Sequence, residues 1–484
     1  MYKRLLKDTS LYSVGPFLAR GFSLITLPIY TRILSPSDYG ALDILSYTAV
    51  LIGLVVGAAL DQAVARFYLD AADDAERTRI ASTVLIYYVL AFALLVLLAR
   101  PFAYQLAHGA WLHGLVDQKT VVLVLIFIFA NAIFYIASNQ LKYLFYSKQY
   151  AICSIGNTVL SMILSLVFVG YLRWGVFGMF LGQTFGAGVF ASLALYYARA
   201  RYAWVFHWKL FQRLLAYSLP LVPGTLSFYL MQYIDRFAIN DLINLREVGI
   251  YGIGARLASL VNLFLAGFHG AWNPTVFKSF RDTAAPERFR VVFNHYLFAV
   301  LVMMVGLSLF SREALLLLTT RTFSQGFVVV PLLVFSAILA SIGQYFTYGI
   351  QIAQKSHYRL FINVAAVAIN VALNYVLIPR VGMVGAALAT MLAFVFLATA
   401  GMRMSQKLYY VPYQWRNIVI SCALAAAISS SVTLIHFDIT WQVEITKIVV
   451  ALSTMLGLIY LLDIQWNRVL HSWITDRGNR KAGS

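Results

Sequence analysis

Charge is what this 484-residue chain has least of: Lys, Arg, Asp and Glu make up only 12% of it, and 61% is hydrophobic. Soluble domains carry roughly 25% charged residues. So little charge cannot clothe a core in water-facing side chains, which excludes a soluble globular enzyme or binding module. Acids are the scarcer sign, 19 Asp and Glu against 37 Lys and Arg. Cysteine is nearly absent, and Cys153 and Cys422 both fall inside apolar runs, which excludes a disulfide framework. No phosphate-cradling G-x-x-x-x-G-K-[ST] loop occurs, so ATP hydrolysis is not expected and no cofactor is implied. Long polar loops are missing too.

What is there instead is a succession of apolar runs of about 20 residues, the length that crosses a hydrocarbon core of roughly 30 Å. An outer-membrane barrel would show short alternating segments. The chain reads as an all-α polytopic membrane protein with about fourteen transmembrane helices. They fall near 11–34, 41–64, 80–99, 120–141, 151–172, 175–198, 215–240, 249–272, 291–311, 328–350, 360–378, 382–402, 416–437 and 443–463. The opening MYKRLLKDTS is basic, but no short apolar region with a small-residue cleavage site follows it. The first span is therefore predicted as a retained helix.

Lys and Arg give the orientation. With a cytoplasmic N-terminus, 25 of them fall on the cytoplasmic side, 9 on the opposite side, and Arg20, Arg236 and Arg256 lie inside spans. That bias predicts both termini in the cytoplasm. The net charge of +18 is then met by the anionic inner leaflet and calls for no nucleic acid.

A faint internal repeat runs through the chain. Lys148, Arg173, Gly175 and Gly178 recur 207 residues later as Lys355, Arg380, Gly382 and Gly385. At nearly the same offset Arg4-Leu5-Leu6 matches Arg213-Leu214-Leu215, and Asp38-Tyr39-Gly40 is echoed by Glu247-Val248-Gly249. Such a period covers six spans, an even number, so two parallel six-helix lobes are expected at 1–205 and 206–410. Helices 13 and 14, over 411–463, and a cytoplasmic tail at 464–484 fall outside the repeat. Two similar lobes suit an alternating-access transporter better than a pore.

The stretch LPIYTRILSPSDYGALDIL, residues 27–45, interrupts the apolar pattern. Ser35, Pro36 and Asp38 fit N-cap, N1 and N3 of a helix. Tyr30 and Tyr39 are expected at interface depth, and Arg32 can snorkel to headgroups. This hairpin corner, P-x-Y-T-R-x-L-S-P-x-D-Y-G from Pro28 to Gly40, resembles the first-hairpin fingerprint of bacterial O-antigen-type flippases. These belong to the multidrug/oligosaccharidyl-lipid/polysaccharide superfamily. A second stretch, LIPRVGMVGAALAT at 377–390, is similar to an element of that family's C-terminal half. The resemblance implies two six-helix bundles plus two helices, and export of a polyprenyl-diphosphate-linked oligosaccharide across the bacterial inner membrane for O-antigen, capsule or exopolysaccharide synthesis.

Ionisable groups inside a membrane are costly and default to functional hypotheses. Arg20 lies about nine residues into its span, roughly 14 Å deep, on a face with Ser13, Pro16 and Ser23. Arg256 lies in span 8, Arg236 near the end of span 7, and Arg66 at the end of span 2. For the substrate that the resemblance implies, these four are the candidate diphosphate ligands, because guanidinium forks match phosphate oxygens. The alternative is that Asp43, Asp61 or Asp235 neutralises them as structural glue. Asp61 and Asp235 are candidate sites for coupling by H⁺ or Na⁺, against roles as helix caps or ion-pair partners. Asp43 and Asp61, eighteen residues apart, would share one face of span 2.

Polar stripes suggest a wet cleft for sugar hydroxyls. Tyr229, Gln232 and Arg236 share a face, as do Asn262 and His269. Ser341, Gln344, Tyr348 and Gln351 form another line, Asn363, Asn370 and Asn374 a third, and Asn131, Tyr135, Ser138 and Lys142 a fourth. Helix–helix hydrogen bonds are the alternative for each residue. The sugar-binding candidates are Tyr229, Gln232, Asn262, Gln344, Gln351, Asn370 and Asn374. His108, His113 and Asp117 cluster in a loop without metal-site spacing, and no metal is expected. The rival functions are a cation-coupled multidrug antiporter or lipid II flippase of the same superfamily, or a membrane polysaccharide polymerase. The coupling ion and any polymerase partner stay open.

Overall fold

The computed structural model describes residues 21, 25–109, 114, 116–434 and 440–464. Most of the first expected span, Arg20 included, lies outside the described residues, as does nearly all of the tail. The long helices are α1 Pro36–Gly57, α2 Leu60–Asp70, α3 Asp74–Ala99, α4 Gln118–Tyr143, α5 Ser147–Leu166, α6 Gly175–Ala198, α7 Trp208–Ser218 and α8 Val222–Leu242. They continue as α9 Leu245–Ala258, α10 Val261–Ser279, α11 Ala285–Leu309, α12 Val330–Phe346, α13 Ser356–Val381, α14 Met383–Leu408, α15 Trp415–Leu434 and α16 Trp441–Leu461. No strand occurs among the described residues. Among the described residues, eleven helices are long and apolar enough to cross a membrane, twelve if α9 and α10, bent by 44° at their break, form one span. Every expected span from the second onward falls on a helix. The chain is a polytopic all-α membrane protein.

Local chemistry sets the start of α1 as the sequence predicts. Asp38 N donates to Ser35 Oγ at 3.2 Å, Ser35 N donates back to Asp38 Oδ2 at 2.9 Å, and Pro36 opens the helix. This reciprocal box satisfies two N–H groups that a helix start leaves unpaired. The end of α1 is unexpected. Ala58 and Ala59 both take φ near 50°, the left-handed region that side-chain-bearing residues avoid, and the helix stops there. Span 2 is thus α1 and α2 in series, and the single face expected to join Asp43 to Asp61 does not exist. The tyrosines of the corner also differ from expectation. Tyr30 and Tyr39 are 4% and 1% exposed, and Tyr39 packs edge-on against Phe323 at 5.3 Å. They are core residues, not interface anchors.

Two helix pairs are each turned on a glycine with left-handed φ, Gly175 at the junction of α5 and α6 (54°) and Gly382 between α13 and α14 (61°). The helices α1 and α9 cross with backbones in contact: a Cβ on Gly40 would lie 1.9 Å from Leu245 O, and one on Gly249 would lie 1.9 Å from Pro36 O. Gly249 follows Gly40, and Leu245 follows Pro36, by the same 209 residues. The two contacts are reciprocal, each glycine meeting the residue four positions before the other. Small residues that let backbones meet are how membrane helices associate without a hydrophobic drive.

Contacts divide the chain into two compact units. One comprises Met1–Ala255, Glu313–Gly326 and Leu360–Ala393; the other comprises Arg256–Arg312, Phe327–Arg359 and Phe394–Ser484. The first has its core where α4, α5 and α6 pack, around Ala137, Leu141, Cys153 and Ala194. The second is built on aromatic stacks, with Phe268 on Tyr296 at 4.1 Å and Trp272 parallel to Tyr345 at 6.1 Å.

Candidate functional site

One turn beyond the Gly40 crossing, α1 carries Asp43, 2% exposed. It fits because α9 presents Gly252, whose Cβ would fall 2.1 Å from Asp43 Oδ2. Arg236 on α8 reaches the same place. Its Nε lies 3.9 Å from Asp43 Oδ2, and its Nη1 donates to Asp235 Oδ1 at 2.8 Å and to Gln232 O at 2.9 Å. The guanidinium also lies over the rings of Tyr47 (4.8 Å) and Tyr251 (5.3 Å). The Tyr251 hydroxyl donates to Asp235 Oδ2. A buried ion is costly unless geometry and hydrogen bonds repay its lost hydration. Here a cation sits between two carboxylates with aromatic faces around it. Arg236 and Asp235 are thus committed to protein groups that tie α1, α8 and α9 together.

Asp61 is differently placed. The break at Ala58–Ala59 puts it in the first turn of α2, half-buried, where an acid suits the helix N-terminus. Tyr135 of α4 donates to its Oδ2 at 2.9 Å, and Tyr143 donates to its backbone oxygen at 3.4 Å. Two consecutive left-handed alanines are strain of the kind found at functional sites. Arg66, one turn on, is exposed and lies over the Tyr217 ring at 5.2 Å.

The first unit also holds a cavity of about 420 Å³, between the end of the first span and α4, α5 and α6. Thr26, Tyr30, Asn131, Asn157, Ser161 and Gln183 set polar groups into a wall that is largely apolar, with Phe127, Met162 and Met179. Its volume falls in the range of small-molecule pockets. Among these only Asn131 belongs to a predicted stripe. Asn157, Ser161 and Ser165 recur every four residues along α5, a signal present in the sequence but not used.

The remaining predicted residues are dispersed. Tyr229 is half-buried beside Tyr233, and Gln232 is exposed. Asn370 and Asn374 are fully buried: Asn374 Nδ2 donates to Asn370 Oδ1 at 3.1 Å, and Asn370 Nδ2 to Thr390 Oγ1 at 3.2 Å. Theirs is the helix-joining arrangement. In the second unit, Arg256 is half-buried in the last turn of α9, and Asn262 is half-buried in the first turn of α10. Gln344 is exposed near the end of α12, and Gln351 Nε2 donates to Thr347 Oγ1 at 3.3 Å. The α12 helix stops at Phe346, so the line through Gln344 and Gln351 is not continuous. Sequence reasoning missed a buried cluster here, His269 with Ser341, Tyr296, Tyr348 and Asn273. In the loop before α4, Asp117 caps that helix, its carboxylate accepting from Thr120 N at 2.9 Å. The Thr120 hydroxyl and N–H hold its carboxyl below the usual range. His113 lies outside the described residues, and among those described no group of three or more His, Cys, Asp or Glu could hold a metal.

This architecture, buried charges and a cavity bearing polar side chains inside an all-helical membrane protein, is that of a membrane transporter. Comparison with solved structures agrees. The fold matches a lipid II flippase, MurJ, in an inward closed conformation, with TM-score 0.73, 14% identity and coverage of 93% of this chain and 97% of that one. It also matches an inward-facing multidrug resistance MATE transporter with TM-score 0.65, 15% identity and coverage of 80% and 94%. The sequence model described as polysaccharide biosynthesis protein matches residues 5–280, and the chain belongs to that family. An uncharacterized membrane protein of Haemophilus influenzae is 22% identical over 295 residues, 57% of this chain. That match spans 66% of the relative's own length.

Proposed function

We propose that the chain is a flippase that carries a polyprenyl-diphosphate-linked oligosaccharide from the cytoplasmic to the periplasmic leaflet of the bacterial inner membrane, for surface polysaccharide synthesis. One coincidence carries this reading: membership of a polysaccharide biosynthesis family joined to the fold of a lipid flippase. Sugars and phosphates cannot cross hydrocarbon unaided, because each buried polar group without a partner costs several kcal/mol. The cavity of about 420 Å³, with Asn131, Asn157 and Gln183 on its wall, supports this reading. Both termini lie in the cytoplasm, and the segments 1–205 and 206–410 alternate in exposing the headgroup while the polyprenyl tail stays in lipid.

In this reading Arg20 and Arg256 receive the diphosphate and Arg66 assists at the cytoplasmic end, while Arg236 holds the α1–α8–α9 junction. Tyr229, Gln232, Asn262, Gln344 and Gln351 meet sugar hydroxyls. Asp61, beside a strained break and reachable from solvent, is the better of the two acids for H⁺ or Na⁺ coupling, since Asp235 is locked to Arg236. The test is reconstitution. Purified protein in liposomes should speed the movement of an NBD-labelled polyprenyl-diphosphate sugar between leaflets, read by dithionite quenching. Arg256→Ala should stop it, and Arg256→Lys should keep part. Movement of ethidium but not of the lipid would establish the multidrug reading instead.

A further inference from the structure

The second unit contains a hydrogen-bonded chain that the reading above does not use. His269 on α10 is 6% exposed, and both its ring nitrogens face hydroxyls: Nε2 lies 2.6 Å from Ser341 Oγ of α12, and Nδ1 lies 3.4 Å from the Tyr348 oxygen. The chain continues on either side. The Tyr348 hydroxyl donates to Asn273 Oδ1, and the hydroxyls of Ser341 and Tyr296, the latter on α11, bond each other. Donor counting fixes the direction. Tyr348 spends its one hydrogen on Asn273, so its oxygen accepts from His269 Nδ1–H. Nε2 then accepts from the Ser341 hydroxyl, whose oxygen accepts from Tyr296. The result is one oriented line, Tyr296 to Ser341 to His269 to Tyr348 to Asn273. It ends at the half-exposed Asn273, and Tyr348 and Ser405 border a cavity of about 20 Å³, enough for one water.

We propose that His269 is a second coupling group, distinct from Asp61, that takes up and releases a proton during transport, a step that rests on the transport reading above. A histidine that merely needed satisfying would require two partners. This one joins a line of four polar side chains that runs to the half-exposed Asn273. Imidazole is the side chain whose ordinary titration lies near neutrality. The titratable groups facing it are phenols, Tyr296 from α11 and Tyr348 from the short helix after α12, with Tyr345 of α12 packed against Tyr348. A proton arriving at Nε2 turns that nitrogen from acceptor to donor. The Ser341 hydroxyl must then rotate to accept, and its bond with Tyr296 must be remade. Loading a proton thus resets the polar link among α10, α11 and α12. Asp235 could not do this without stranding the charge of Arg236.

The test uses the full-length protein in nanodiscs with ¹⁵N-labelled histidine. Of its 8 histidines, the His269 signal is the one lost in His269→Gln and displaced in Ser341→Ala. We expect that signal to titrate between about pH 5 and 8; a ring that stays neutral throughout would overturn the proposal. In liposomes, exchange of one proton per lipid makes a gradient of one pH unit worth a factor of about ten in leaflet distribution. Wild type should show that shift and His269→Gln should not. A titrating His269 with no lipid movement would remove the transport reading and leave the proton site. Lipid movement indifferent to the gradient, with His269 neutral, would do the reverse.

Discussion

Replacing Arg236 with alanine should destabilise the protein through the charges left behind. The guanidinium, 6% exposed, holds Asp235 Oδ1 at 2.8 Å and stands 3.9 Å from Asp43 Oδ2. Removing it leaves two carboxylates facing each other without the cation set between them. Breaking a buried pair from one side costs about 3–5 kcal/mol, and the lost contacts with Tyr47 and Tyr251 add about 1–2 kcal/mol. The assay is thermal unfolding in detergent, followed by fluorescence on a sizing column at a fixed heating rate, since such melts report kinetic stability. The sign of a double mutant identifies the cause. Adding Asp235→Asn to Arg236→Ala removes one stranded charge and should recover about 1–3 kcal/mol, although Asp235→Asn alone destabilises. Unfolding of Arg236→Ala at the wild-type temperature would refute the argument. Loss of lipid movement at unchanged stability would return Arg236 to the list of phosphate ligands.

Three further outcomes follow from the fold. Gly249→Ala and Gly40→Ala each push a methyl to 1.9 Å from a carbonyl oxygen across the α1–α9 crossing; each should lower the melting temperature, consistent with about 1–3 kcal/mol of overpacking, whereas Gly267→Ala, which has open space, should not. Asp61→Asn should abolish lipid movement while Tyr135→Phe only weakens it, and equal loss in both would make the Asp61–Tyr135 bond structural. Asp117→Ala removes the cap of α4, a loss of about 1 kcal/mol at neutral pH. Because the carboxyl is held below its ordinary range, the cap's contribution is present above that range. It fades as pH falls through the lowered value, so the wild-type and variant melting curves should converge in acid.

How much the sequence shows depends on where each residue's partner lies. The corner at Ser35, Pro36 and Asp38 was legible because its bonds span three residues. So were Gly175 and Gly382, which serve backbone conformations that leave a mark in the chain itself. The break at Ala58–Ala59 was not. Alanine is the best helix former, so only packing elsewhere could have forced these two into left-handed turns. Tyr30 and Tyr39 looked like interface anchors because Tyr39 packs on Phe323, far along the chain. Arg236 could be matched with Asp43 or Asp235 as possible neutralisers, but not shown to hold both at once. Asn370 and Asn374 displayed the right period for a wet face, yet periodicity does not distinguish a face turned to water from one turned to Thr390. The His269 line draws on α10, α11, α12 and the short helix that follows, so no single stretch announces it.

The measurement that reaches the central claim most directly is made on cells lacking the gene. Polyprenyl-linked oligosaccharides are extracted and assigned to a leaflet by their accessibility to a membrane-impermeant glycan-modifying enzyme before and after inverting the vesicles. The account predicts completed repeat units trapped on the cytoplasmic side, with surface polymer lost and restored by the intact gene. Single repeats reaching the periplasmic side in normal amount would contradict it, because translocation would then proceed without this protein.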